Sequence, residues 1–132
     1  MSRHIYMPGY GPESVAHDEI DVEIFPDGEQ AVGFRITDSE DVYLYGGCYD
    51  ADSSEAFLAA AYELARRGPR SLTIYNLYFR NARCERPFLN KAGNQQAVMA
   101  KFQAQLWSGV GRMFPGVRMI LLDLHTSLVL SF

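Results

Sequence analysis

The chain has 132 residues, enough for one domain with a substantial core and too few for two. Hydrophobic residues make up 48% and charged residues 21%, an ordinary globular balance, and no apolar run approaches the roughly 20 residues of a membrane span. The formal net charge of −4 argues against a general nucleic-acid binder, which is usually basic.

The opening residues, Met1-Ser-Arg-His-Ile-Tyr-Met-Pro8, lack the apolar core of a signal peptide, so the expected location is the cytoplasm. Residues 1–19 mix Pro8, Gly9, Gly11 and Pro12 with few apolar side chains and read as loop, with a short strand at 4–7. Residues 20–25 alternate Ile20, Val22 and Ile24 against Asp21 and Glu23, the pattern of a half-buried strand. Pro26-Asp27-Gly28 is a turn signal, and residues 30–36 alternate again with Val32, Phe34 and Ile36 on one face. The two strands are expected to form a hairpin. A polar turn at 37–41 leads to a third strand at 42–45, which runs into Gly46-Gly47.

Asp52-Ser-Ser-Glu55 has the form of a capping box and predicts a helix over 53–67. Phe57, Leu58, Ala61, Leu64 and Ala65 recur at helical spacing, and Gly68-Pro69 ends the helix. Residues 72–77 are a short apolar run of β-branched and aromatic type, read as a buried strand. A second helix is predicted over 94–114, with Val98, Phe102, Leu106, Val110 and Met113 on one stripe and Pro115-Gly116 as its end. Residues 117–124 are nearly all apolar, as expected of a central parallel strand covered on both faces. Strands alternating with helices imply right-handed crossovers. The expected fold is therefore a single α/β domain over 1–132: three-layer, with a mostly parallel sheet flanked by helices and an N-terminal β-hairpin.

Two clusters could carry chemistry. Three arginines and a carboxylate fall in 80–86, just past the strand at 72–77, and ligands of open α/β sheets bind outside the carboxyl ends of the strands. The planar fork of arginine suits phosphate, although a solvated basic loop has the same composition. Asp123-Leu-His125 ends the last strand, and residues two apart in extended chain point to the same side, so the pair could share a magnesium ion or a phosphorylated ligand; the alternative is a turn-capping aspartate beside an idle histidine. Cys48 and Cys84 match no zinc or redox spacing and read as unbridged thiols. Gly46-Gly47 is either a phosphate-cradling nest or a plain turn. Trp107 reads as core or interface packing.

Taken in order, these pieces resemble the ribose-phosphate pyrophosphokinases, the phosphoribosyl pyrophosphate (PRPP) synthetases. Phe25-Pro-Asp-Gly-Glu29 is similar to that family's Phe-Ser-Asp-Gly-Glu. Tyr78-Phe-Arg-Asn-Ala-Arg-Cys-Glu-Arg86 is similar to its Tyr-Phe-Gly-Tyr-Ala-Arg-Gln-Asp-Arg, and Leu122-Asp-Leu-His-Thr126 to its Val-Asp-Leu-His-Ala. The resemblance covers residues 20–132, the extent of an N-terminal synthetase domain. It implies that Phe25, Asp27 and Glu29 meet the adenine of ATP held mainly by a neighbouring subunit, and hence a homo-oligomer. It implies ATP or ADP binding by Arg83, with Cys84, Glu85 and Arg86 beside it, and a magnesium site at His125 and Asp123. Cys84 stands where the family has glutamine, Glu85 where it has aspartate, Gly46-Gly47 where it has Gln-Ser, and Leu128 and Leu130 where it has glutamines. Nothing in the 132 residues is similar to the family's ribose-phosphate loop, which lies in a second domain. Two expectations follow. The chain is one part of a PRPP-synthesising system, working with a second synthetase chain, or it is a non-catalytic nucleotide-binding or regulatory relative that associates with a synthetase.

Overall fold

The computed structural model describes residues 2–11, 20–34, 40–79, 89 and 91–122. Their elements run β1 (Ser2–Tyr6), β2 (Ile20–Ile24), β3 (Gln30–Phe34), β4 (Asp41–Gly46), α1 (Ala51–Arg67), β5 (Ser71–Asn76), α2 (Met99–Met113) and β6 (Arg118–Leu121). Strands β1, β4, β5 and β6 pair in that order, all parallel, and β2 pairs with β3 as an antiparallel hairpin. The α/β class, the parallel sheet with flanking helices and the hairpin are thus as the sequence predicts. Strand β6, expected to be central and covered on both faces, is instead the last strand of the described sheet, with Arg118 and Ile120 exposed. Among the described residues, no helix is long and apolar enough to cross a membrane.

The order β1-β4-β5-β6 advances one way across the sheet, and right-handed crossovers then place the connecting helices on one side. Burial agrees with this. Along β4 and β5 every second residue is buried: Val42, Leu44 and Gly46, then Leu72, Ile74 and Asn76. This face packs with Phe57, Ala60, Ala61 and Leu64 of α1. Helix α2 joins through Trp107, whose ring meets Phe57 edge-on at 4.9 Å. The hairpin leans on the flank of α1, where Gln30 Nε2 donates to Asp52 O at 3.0 Å and to Glu55 Oε2 at 3.4 Å.

The opposite face carries rings in place of helices among the described residues. Tyr6, Tyr45 and Tyr75 are register partners and stack at centroid separations of 4.7 Å, the spacing of the strands themselves. His4 stacks on Tyr43 at 4.8 Å and shares a hydrogen bond of 2.9 Å with the Tyr45 hydroxyl. Burial first, then the neighbouring phenols, raise the Tyr45 pKa above its ordinary value.

The helix ends depart from the predicted ones. Helix α1 starts at Ala51 and is capped by Asp50, with Asp52 inside its first turn. Asp50 Oδ1 accepts from Ser53 N at 2.8 Å while Ser53 Oγ accepts from Asp50 N at 3.0 Å, so the capping box sits two residues earlier than read. Such a cap contributes about 1 kcal/mol. The end at Gly68 is as predicted, with left-handed φ of 68°. Helix α2 begins at Met99, five residues later than expected, because Gln95 bridges to Leu89 as extended chain. Its buried stripe is Ala100, Gln103, Trp107 and Val110. Phe102, Leu106 and Met113, predicted to face inward, are 51%, 39% and 38% exposed.

The amino edge of the sheet is pinned by ions. Arg70 grips Asp41 with two bonds, Nε to Oδ1 at 3.0 Å and Nη2 to Oδ2 at 2.6 Å, and Ser71 Oγ donates to Asp41 Oδ1 at 2.6 Å. The Arg70 bonds, then that of Ser71, hold the Asp41 carboxyl well below the usual carboxylate range. A folded-state pKa below the unfolded value of about 3.9 means stabilisation that is fully present above about pH 4. It is lost as pH falls through the folded value. Asp41→Asn should therefore lower the urea midpoint at pH 7, with the gap to the parent closing as pH falls below 4. A gap unchanged down to pH 2 would show that the carboxylate charge contributes nothing.

Candidate functional site: the carboxyl edge of the parallel sheet

Parallel strands deliver their carboxyl ends to one edge, and here the ladder continues past the strands. Met7 N donates to Tyr45 O at 2.9 Å, Leu77 N to Gly46 O at 2.7 Å, Cys48 N to Tyr78 O at 2.9 Å and Leu122 N to Asn76 O at 3.3 Å. The segments leaving β1, β4, β5 and β6 are thereby held side by side.

Close packing explains Gly46 and Gly47. A Cβ on Gly46 would lie 2.7 Å from two ring carbons of Phe57 and 2.8 Å from Met7 Cγ. One on Gly47 would lie 2.6 Å from the Tyr10 hydroxyl oxygen. Both glycines are buried, so they seat aromatic rings over the end of β4. Neither a phosphate-cradling nest nor a plain turn requires this closeness: the structure gives the pair a packing role.

Beside them sit Asn76 and Cys48, both fully buried. Asn76 Nδ2 points at Cys48 Sγ, 3.9 Å away, and Asn76 Oδ1 has no partner among the described residues. A buried amide oxygen left unpaired costs about 1–3 kcal/mol, so this strand end holds an acceptor in want of a donor.

Three tyrosines crown the edge. Tyr10, Tyr49 and Tyr78 follow β1, β4 and β5 and form a row in that order: Tyr10 stacks on Tyr49 at 5.8 Å and 18°, and Tyr78 meets Tyr49 tilted, at 5.1 Å and 33°. The Tyr10 hydroxyl is buried without a hydrogen-bond partner among the described residues, and the Tyr49 phenol lies beside it without bonding geometry. Burial first, and then Tyr49, push the Tyr10 pKa well above its ordinary value, so it stays protonated at physiological pH. Next to the stack a cleft of about 250 Å³ opens between the end of β1, the hairpin and the start of α1, with Asp50 and Asp52 on its wall.

Of the site residues expected from sequence, Phe25, Asp27 and Glu29 occupy the hairpin turn. All three are exposed, Phe25 at 41%, and Asp27 Oδ1 accepts from Glu29 N at 3.1 Å. Arg83, Cys84, Glu85, Arg86, Asp123 and His125 lie outside the described residues. The described residues that precede them, Tyr78 and Leu122, lie at the carboxyl edge, where Cys48 N donates to Tyr78 O and Leu122 N to Asn76 O. The expected magnesium ligands therefore offer no described donor set to fit, and the described residues hold no cluster of three or more His, Cys, Asp or Glu side chains that could bind a metal. Sequence reading missed the tyrosine stack, Asn76 and the partners of Gly46 and Gly47. The available signal was positional: each tyrosine lies two to four residues beyond the end of a parallel strand.

No family model matches this sequence, and no curated protein matches it. Among solved structures, the chain is similar to the phosphoribosylpyrophosphate synthetase of Mycobacterium smegmatis, with a TM-score of 0.74 at 19% identity. The match covers 98% of this chain and 45% of the synthetase, so the chain spans about half of that protein's length. At this identity the likeness is one of fold: the chain has the α/β architecture of a portion of a PRPP synthetase.

Proposed function

We propose that the chain is a ribose-phosphate pyrophosphokinase-related domain that binds an ATP- or ADP-type ligand with magnesium at the carboxyl edge of its sheet, as one part of a PRPP-synthesising system. The observation that carries this reading is the fold likeness to a synthetase over 98% of the chain. The order of the three motifs along the chain supports the reading. The Phe25 turn joins β2 to β3, the arginine segment follows β5, and Asp123-Leu-His125 follows β6.

In this reading Arg83 grips phosphate by charged, planar hydrogen bonds, with Cys84, Glu85 and Arg86 alongside. Asp123 and His125 would hold the magnesium ion, which supplies charge neutralisation at the phosphates when bound. The exposed turn of Phe25, Asp27 and Glu29 projects from the body of the domain and would meet the adenine of a neighbouring subunit in a homo-oligomer. The expected effect of Arg83→Ala is a tenfold to hundredfold loss of ATP affinity by calorimetry, the worth of one charged hydrogen bond of about 1.5–3 kcal/mol. Equal affinity in variant and parent, or no binding by the parent, would refute the site.

A specific observation favours a second reading, a non-catalytic nucleotide-binding or regulatory relative that associates with a synthetase. Rings fill the space that side chains at Gly46 and Gly47 would need, so this edge is rebuilt where the family carries Gln-Ser. Assaying AMP and PRPP together, with magnesium-ATP and ribose 5-phosphate, separates the two. Steady formation of both at about 1 per second or faster, the low end of ordinary turnover, favours catalysis. Nucleotide binding without turnover, with or without an added synthetase chain, favours the relative.

A further inference from the structure

We infer that Tyr10, Tyr49 and Tyr78 are a stacking platform for the planar heteroaromatic base of a nucleotide, which joins the row at its Tyr78 end. This rests on the proposed nucleotide binding and adds Tyr10 and Tyr49, which lie outside the sequence motifs, and a role for Tyr78, which opens one of them. The stack stands where ligands of open α/β sheets bind, outside the carboxyl ends of the strands. Its order follows the strand order β1, β4, β5, so Tyr78 ends it on the side of β6.

Exposure points to a ligand. Tyr49 is 66% and Tyr78 is 49% exposed, although both follow buried strands and are tied together through the bond from Cys48 N to Tyr78 O. A three-ring stack held in place by backbone bonds presents its aromatic surface already ordered, so little side-chain freedom is lost on binding. The inner ring is fixed as well: Tyr10 lies over Gly47, at a distance no larger residue there would permit.

Charge selects which end of a nucleotide this corner takes. Asp50 and Asp52 stand on the adjoining cleft wall and repel phosphate. Carboxylates accept hydrogen bonds from sugar hydroxyls or an exocyclic amine. The base end belongs at the tyrosines, and the phosphates belong away from these carboxylates. Every base has a π-face, so the platform provides affinity for nucleobases in general and little choice among them.

The test uses the whole chain with three probes: ATP, adenosine and inorganic tripolyphosphate. Tyr78 ends the row and Tyr49 stands between it and Tyr10, yet both are exposed. Tyr49→Ala and Tyr78→Ala therefore remove little core packing, and their melting curves should match the parent's. Tyr78→Ala, which removes the ring the base meets, should weaken ATP about fivefold to a hundredfold, the usual worth of one stacked base. Tyr49→Ala, which removes the ring behind it, should weaken ATP by less. Both should leave tripolyphosphate binding unchanged. Tyr49→Phe and Tyr78→Phe, which keep the ring, should bind ATP like the parent. In proton spectra the adenine H2 and H8 signals should move upfield on the parent, and less on the alanine variants. If the alanine variants bind ATP like the parent while Arg83→Ala does not, the platform is wrong and the nucleotide site stands. If the parent binds neither ATP nor adenosine, both fall. A parent that holds ATP no tighter than tripolyphosphate also overturns the platform.

Discussion

Phe57→Ala should cost about 3–5 kcal/mol of folding stability, the range for truncating a large buried aromatic ring. Total stabilities of about 5–15 kcal/mol make that a substantial fraction of the whole. Phe57 is fully buried and sits where three elements meet. It packs against Trp107 of α2 edge-on at 4.9 Å with the rings at 64°. Its ring also fills the space above Gly46 at the end of β4. Removing it leaves a cavity that no single neighbour can close, because α1, α2 and the sheet each contribute only one wall. Urea unfolding followed by fluorescence of the single tryptophan, Trp107, should show a lower midpoint with an unchanged slope. A loss below about 1 kcal/mol would mean that this junction is loosely packed and that the sheet edge is not held by it.

Gly46→Val should cost about 3 kcal/mol, the upper end for overpacking a core. The added Cβ would lie 2.7 Å from the Phe57 ring and 2.8 Å from Met7 Cγ, and real Cβ atoms do not approach that closely. Either ring or strand must move, and the end of β4 moves with it. The double variant Gly46→Val with Phe57→Leu should be more stable than the sum of the two losses predicts, because each change relieves the other. Strict additivity would mean that the two sites do not touch. Gly46 also precedes Tyr49 by three residues, so the same substitution should disturb the tyrosine stack and weaken nucleotide binding.

Much of the architecture was legible because it rests on periodicity. Alternating Val42 and Leu44, and Leu72 and Ile74, mark strands with one buried face, and Gly68-Pro69 marks the end of α1 in both sequence and structure. Helix α2 shows where periodicity fails. Phe102 and Leu106 share one stripe and Gln103 and Trp107 the next, about 100° further round the helix. Hydrophobicity favoured the first, whereas packing against Phe57 selected the second and buried a glutamine. The cap of α1 was ambiguous for a related reason. Asp50-x-x-Ser53 and Asp52-x-x-Glu55 both spell a capping box, and the choice was settled by Glu55, which reaches Gln30 of the hairpin instead.

The candidate site was legible only in part. The turn at Phe25 can be read from adjacent residues, since Pro-Asp-Gly fixes its own geometry. The tyrosine stack cannot, because Tyr10, Tyr49 and Tyr78 meet only once three parallel strands are in register. Nor does a glycine pair announce which rings will lie over it, and Gly46-Gly47 became informative only with Phe57 and Tyr10 in place.

Amide chemical shifts of the isotopically labelled chain, followed while magnesium-ATP is added to about 1 mM, test the central claim most directly. Binding at the carboxyl edge predicts movement at Gly47, Cys48, Tyr49, Leu77, Tyr78 and Leu122, with Ser2, Asp41, Ser71 and Arg118 at the opposite edge unmoved. Spectra that do not change, or changes confined to the Asp41–Arg70 edge, would contradict it.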